Sequence, residues 1–194
     1  MNRPDAVSRQ ARAEQLAERL GGKPLVLIGM MGAGKTTVGR RLAARLNRQF
    51  LDSDEEIERA AQMTIPEIFE QRGEPEFRAG ETRVISRVLK DQGVVLATGG
   101  GAFVNGETRA LVKAEAISIW LKADLDVLFE RVSRRSNRPL LRTSNPRATL
   151  EKLIEDRYPI YAEADVTVYS RDVPQDVVAS DVIDAVLAYL KRQD

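Results

Sequence analysis

Residues 25–43 read LVLIGMMGAGKTTVGRRLA. Four apolar, strand-favouring residues, Leu25 to Ile28, run into a turn carrying Gly29, Gly32 and Gly34, and a lysine, two threonines and a helix-like continuation follow. The spacing Gly29-x-x-x-x-Gly34-Lys35-Thr36 is a phosphate-binding loop pattern, set between the strand and the helix that such a loop requires. Glycines let the backbone curl until successive N–H groups converge on an anion, and the new helix adds the positive end of its dipole. Lys35 can then reach the β and γ phosphates, while the Thr36 hydroxyl can hold Mg²⁺. A glycine-rich turn with an incidental lysine would need no such flanks. The stretch implies binding of a nucleoside triphosphate.

The rest of the chain alternates in the same rhythm. Continuous apolar runs at Leu25–Ile28, Val94–Ala97 and Ile117–Leu121, a shorter one at Phe50–Leu51 and a further candidate at Val166–Tyr169 read as strands. Helical patterns fall near 35–47, 54–61, 75–91, 106–115, 124–135, 147–161 and 175–192. Strands apolar throughout, separated by helices, predict a parallel sheet covered on both faces. Ahead of them Ala13, Leu16, Ala17 and Leu20 repeat at helical spacing until Gly21-Gly22 stops the pattern. Residues 1–22 are therefore expected to be a helical extension packed on the surface, with self-association as the alternative. Residues 23–194 are expected to form a single domain with an Arg-rich lid at about 133–147.

Composition removes several chemistries. The 194 residues hold no Cys and no His, so thiolate catalysis, disulfides and His- or Cys-ligated zinc are excluded, and any general base is a carboxylate, Lys, Tyr or water. Lys+Arg is 30 against Asp+Glu 29, a net charge of +1 that suggests neither a nucleic acid nor an anionic membrane as partner. No apolar run approaches the roughly 18 residues of a membrane span. The N-terminus has no apolar signal core, and Asp5, Glu14 and Glu18 argue against a transit peptide, which makes a cytoplasmic location the expectation.

Further motifs narrow the chemistry. In FLDSDEEIE, Asp52 and Asp54 stand two apart at the end of the second strand, where period two would turn both carboxylates to the carboxyl edge of the sheet. One carboxylate near Mg²⁺ and one near a substrate hydroxyl suit phosphoryl transfer to an alcohol. An acidic helix start capped by Ser53 or Asp54 explains the same residues. EFRAGE places Arg78 and Glu81 on one helix face, and ATGGGAF lets backbone approach a small ligand at Gly99 to Gly101. Arg131, Arg134, Arg135, Arg138 and Arg142 crowd one segment without an acid between them, as in a lid over phosphates, with a solvated basic face or an RNA contact as the alternatives. Arg157, in RYPIYAEAD, can fork onto a carboxylate.

Taken together, GMMGAGKTTVGRRLA, DSDEEIE, EFRAGE, TGGGAF, RPLL and RYPIYAEAD resemble the shikimate kinases over about residues 24–190. The resemblance implies an α/β fold of the P-loop nucleoside-monophosphate-kinase type, three layers α/β/α with a five-stranded parallel sheet of order 2-3-1-4-5. It implies transfer of the ATP γ-phosphate to the 3-hydroxyl of shikimate, with Mg²⁺ as cofactor and no nucleic-acid or membrane partner, in a family that is often monomeric. By the same resemblance Gly32, Ala33, Gly34, Lys35, Thr36 and Thr37 wrap the ATP phosphates, and Thr36 ligates Mg²⁺ with Asp52 acting through water. Asp54 grips the shikimate hydroxyls and takes the proton or only orients them. Arg78 and Arg157 clamp the carboxylate, Gly100 adds a backbone contact, and Arg138 in the lid touches ATP. Lys35, Asp54 and Arg138 would be the catalytic set. Gln62 departs from a family glycine, for which a structural adjustment is expected, and the adenine-contacting loop near Arg171 and Asp172 is not aligned. Another small-molecule kinase, such as a gluconate kinase, and a catalytically silent P-loop module are the competing readings.

Overall fold

A computed structural model describes residues 3–134 and 144–194. The elements run α1 (Arg3–Leu20), β1 (Leu25–Ile28), α2 (Lys35–Arg45), β2 (Gln49–Asp52), α3 (Ser53–Ala61), α4 (Ile65–Val88), β3 (Val94–Ala97), α5 (Gly106–Glu115), β4 (Ile117–Lys122), α6 (Leu125–Ser133), α7 (Pro146–Tyr161), β5 (Val166–Tyr169) and α8 (Gln175–Lys191). A 3-10 turn at Ala102–Val104 precedes α5. All strand pairs are parallel, in the order β2-β3-β1-β4-β5 that the resemblance implies.

The sheet centre explains its own sequence. Every residue of β1 and β3 is buried, because helices cover both faces and leave no room for an alternating polar side. Edge strand β5 alternates buried and exposed residues, and Tyr169 on it is 54% exposed. Register sets the site. Leu27 of β1 and Asp52 of β2 both align with Ala97 of β3, so the strands end together and their following loops share one edge.

Three local readings change. Helix α4 begins at Ile65, well before the expected 75, because Thr64 and Glu67 form a reciprocal capping box with Pro66 in the first turn. Gly73, at φ 77, ψ 170, then breaks the helix just ahead of Pro75. Helix α3 is capped by neither Ser53 nor Asp54. Asp52 caps it, accepting the Asp54 N–H at 3.1 Å. Asp54 therefore lies in the first helical turn, and period-two geometry does not govern it. Gln62 ends α3 in the left-handed conformation, φ 54, which glycine would adopt at no steric cost. That is the adjustment its departure called for.

Helix α1 packs on α8 through Ala13, Leu16 and Leu20, all joined to the core, while Ala17 is only partly buried. Burying Leu16 alone contributes about 2 kcal/mol. Arg12 pairs with Asp184 of α8 at 3.5 Å, and Arg19 pairs with Asp194. No helix among the described residues is long and apolar enough to cross a membrane.

Candidate active site

The loop between β1 and α2 opens onto a cleft of about 510 Å³ lined by Gly32, Gly34, Lys35, Thr36 and Thr37 on one side and Asp52, Asp54, Gly99 and Gly100 on the other. Gly34 starts α2 at φ 91 with no side-chain cap. The first helical N–H groups therefore meet the cleft without an internal partner of the usual kind, which is what an anion needs. Gly29 stands at φ 140, and a Cβ there would come 2.7 Å from the Leu121 carbonyl oxygen, so the loop is closed to any side chain at that corner. Ala33 is buried under the loop, its N–H on the Met30 carbonyl at 3.1 Å, and does not line the cleft. Lys35 Nζ donates to the carbonyls of Gly29 and Met30 at 2.8 and 3.0 Å, which holds the ammonium over the loop mouth.

Thr36 Oγ1 donates to Asp52 Oδ2 at 2.9 Å. Among the described residues no group of three or more acidic, His or Cys side chains forms a metal cage. A hydroxyl and a carboxylate side by side are hard oxygen donors that fit Mg²⁺, which binds few protein groups and completes its shell with phosphates and water.

The opposite side is assembled from distant segments. Ser53, fully buried, accepts the Gly99 N–H at 2.9 Å and pins the Gly99–Gly101 turn to α3. Each glycine of that turn leaves room for a charged side chain. A Cβ on Gly99 would stand 2.8 Å from Asp54 Oδ1, one on Gly100 3.2 Å from Arg157 Nη1, and one on Gly101 2.7 Å from Arg78 Nη1. Two guanidiniums, from α4 and α7, thus reach the floor on which Asp54 also stands. Arg78 is held by Glu81 Oε2 at 2.8 Å and Glu74 Oε1 at 3.3 Å, with Phe77 beneath it at 5.1 Å from the ring centroid. Burial works against the Arg78 charge, but the bonds from Glu81 and Glu74 outweigh it and raise the guanidinium further. Glu81, 1% exposed, moves the same way for the opposite reason: burial raises its carboxyl more than Arg78 lowers it, and neighbouring Asp54 adds to the rise. The pair is therefore better described as a rigid mount for Arg78 than as a large source of stability.

Of the residues expected from sequence, Gly32, Gly34, Lys35, Thr36, Thr37, Asp52, Asp54 and Gly100 line the cleft, and Arg78 and Arg157 flank its Gly99–Gly101 floor. Arg138 lies outside the described residues, as does most of the expected lid. Unforeseen are Ser53, Tyr161 and Gln175. The last places a buried carbonyl oxygen, without a partner among the described residues, beside Gly34. Arg131, read only as part of a basic run, instead bridges the cleft wall, donating to the Gly32 and Arg171 carbonyls at 3.3 and 2.6 Å and to Ser170 Oγ at 2.9 Å. No local pattern announces these roles, because each depends on which segment folds against it.

A family model described as shikimate kinase matches residues 31–187. The chain belongs to the shikimate kinase family. A shikimate kinase of Rhodopseudomonas palustris is 56% identical over 185 residues, 95% of this chain and 91% of that protein. A solved shikimate kinase of Acinetobacter baumannii, in complex with shikimate, superimposes with a TM-score of 0.83 at 40% identity, covering 89% of this chain and 97% of that one. A gluconokinase of Sinorhizobium meliloti reaches a TM-score of 0.61 at 16% identity over 89% of this chain and 95% of that one, which speaks for a shared fold alone. Membership in the shikimate kinase family makes the chain an ATP-dependent small-molecule kinase, with ATP as co-substrate.

Proposed function

We propose that this chain phosphorylates the 3-hydroxyl of shikimate from ATP in the cleft between the P-loop and the Gly99–Gly101 floor. The observation that carries the reading is the convergence of Arg78 and Arg157 on that floor beside Asp54. A small anionic polyol calls for guanidinium forks on its carboxylate and a carboxylate on its hydroxyls.

In this reading the P-loop N–H groups and Lys35 hold the β and γ phosphates. Arg78 and Arg157 take the substrate carboxylate and so aim the 3-hydroxyl at the γ-phosphorus. The hydroxyl oxygen bonds to phosphorus as the bond to the β–γ bridging oxygen breaks, and ADP departs with that electron pair. Asp54 orients the hydroxyl and receives its proton late, since a loose transition state needs little base assistance. Thr36 and Asp52 would hold Mg²⁺, the latter through water, and the ion would supply neutralisation of phosphate charge. Arg138 would add a cation from the lid. The same proposal treats residues 1–22 as a brace on α8 outside the catalytic unit, and the enzyme as a cytoplasmic monomer with no nucleic-acid or membrane partner.

The test is ADP release measured with shikimate, quinate and gluconate side by side. Turnover that depends on shikimate and is far weaker with the other two is the expected result. Turnover with gluconate alone, or none with any acceptor, would sink the reading.

A further inference from the structure

Tyr161 is fully buried at the end of α7, one turn beyond Arg157, so the two side chains share a helix face. A buried phenol needs partners for its hydroxyl. It donates to the carbonyl of Gly100 and lies 3.9 Å from Met30 Sδ at the root of the P-loop. A Cβ on Gly100 would stand 3.2 Å from Arg157 Nη1, so Arg157 reaches the same residue, and its charge acts on the hydroxyl. The rings of Trp120 and Tyr158, at centroid distances of 6.0 and 6.3 Å, flank the phenol and leave it no room to swing away. Burial, opposed by Arg157 and Arg78, keeps the phenol above its usual titration range, so it stays a donor at neutral pH.

We propose that Tyr161 is a positioning residue for the acceptor site: its hydroxyl fixes the Gly100 carbonyl, beside which Arg157 stands, and thereby sets where the substrate carboxylate lands relative to the P-loop. The inference rests on the shikimate reading above. Tyr161 itself touches no substrate. Without the hydroxyl the Gly100 carbonyl loses its donor and the turn beside Arg157 loosens, while the P-loop backbone keeps its own bonds. The effect should therefore divide unequally between the two substrates.

The experiment uses the full chain with Tyr161→Phe, which preserves the ring. Steady-state kinetics for each substrate are combined with shikimate titration followed by fluorescence of Trp120, the single tryptophan, and with separate ATP titration. The expected result is a rise of about tenfold in the KM and Kd for shikimate, with ATP affinity changed less than about twofold and kcat less than about threefold. Retained ATP binding doubles as proof that the variant is folded. An unchanged shikimate KM overturns the proposal, and so does parallel loss of both ligands, which would make the hydroxyl merely structural. A wild-type chain without shikimate-dependent turnover would instead remove the substrate reading, an outcome the variant is not needed to detect.

Discussion

The two glycine-rich turns of this molecule, Gly29–Gly34 and Gly99–Gly101, use the same residue for different reasons. In the first, Gly29 and Gly34 stand at φ 140 and 91, and the turn needs glycine for backbone shape so that N–H groups face an anion. In the second, none of the three glycines has positive φ, and what matters is the space their missing side chains leave for Asp54, Arg157 and Arg78. One end of the cleft is thus made by consecutive backbone, the other by side chains from α3, α4 and α7 that meet over a bare floor. A contiguous motif can bind a ligand part common to many substrates, the phosphates. On the proposed reading, the individual acceptor is selected by side chains gathered from afar.

The largest expected effect separates the two ends. Lys35→Met should lower kcat by on the order of 10²-fold or more while the fold and shikimate affinity persist, since the developing γ-phosphate charge loses its cation. Near-normal turnover would remove Lys35 from the mechanism. The mirror experiment is Arg78→Lys or Arg157→Lys. Charge is kept and the planar fork lost, so shikimate Kd should rise about 10–100-fold with ATP binding little changed. Equal weakening of both ligands in separate titrations would mean the arginines do not belong to the acceptor end.

Asp54→Asn probes where the two ends meet. Orientation as its main duty predicts about a tenfold rise in shikimate KM with a smaller loss of kcat, whereas an obligatory base would cost roughly 10²–10⁴-fold in kcat. Measuring both across pH distinguishes the cases, and no change in either would dismiss Asp54. A smaller effect tests the floor directly. At Gly101→Ala the added methyl, 2.7 Å from Arg78 Nη1, should push the guanidinium off its Glu81 mount and raise shikimate KM by about 3–10-fold, without altering ATP affinity or melting temperature. A fall in stability with shikimate KM unchanged would show that the turn needs glycine for its backbone after all.

The smallest effect lies in the aromatic cluster behind Arg157. Burial pushes the Tyr158 phenol up to about 12 from an ordinary 10, and its hydroxyl donates to the Ala123 carbonyl. A raised folded-state value means the contribution to stability is present below pH 10 and is lost as pH climbs from about 10 to about 12, where the unfolded chain ionises first. Ultraviolet titration should show this phenol ionising last or only on unfolding, and Tyr158→Phe should flatten the loss of stability in that window. An ordinary titration near 10 would mean the cluster is open to water.

Much of the fold could be read from the chain because its signals are local. The five strand positions follow from apolar runs bounded by glycine and charge, and α2 from a loop that can end in nothing else. The readings that failed were those in which short-range rules compete. A second helix start at Thr64 hid behind Pro66, and Asp52, not its neighbours, took the cap of α3. Which of several adjacent oxygens caps a helix depends on a few degrees of backbone that β2 imposes, and no pattern encodes that.

By itself the sequence determined the phosphate end: spacing within nine residues dictates a loop whose own N–H groups and lysine make the site, so nothing distant has to be known. Residue identity also nominated Asp54, Arg78 and Arg157 through the resemblance. Only the tertiary structure decided that these three share one floor, that Glu81 and Glu74 mount one arginine, and that Tyr161 holds the Gly100 carbonyl beside the other. Parallel strands ending in register bring together loops and helices that lie far apart along the chain, and the distances among their side chains follow from helix packing, which one-dimensional spacing cannot express.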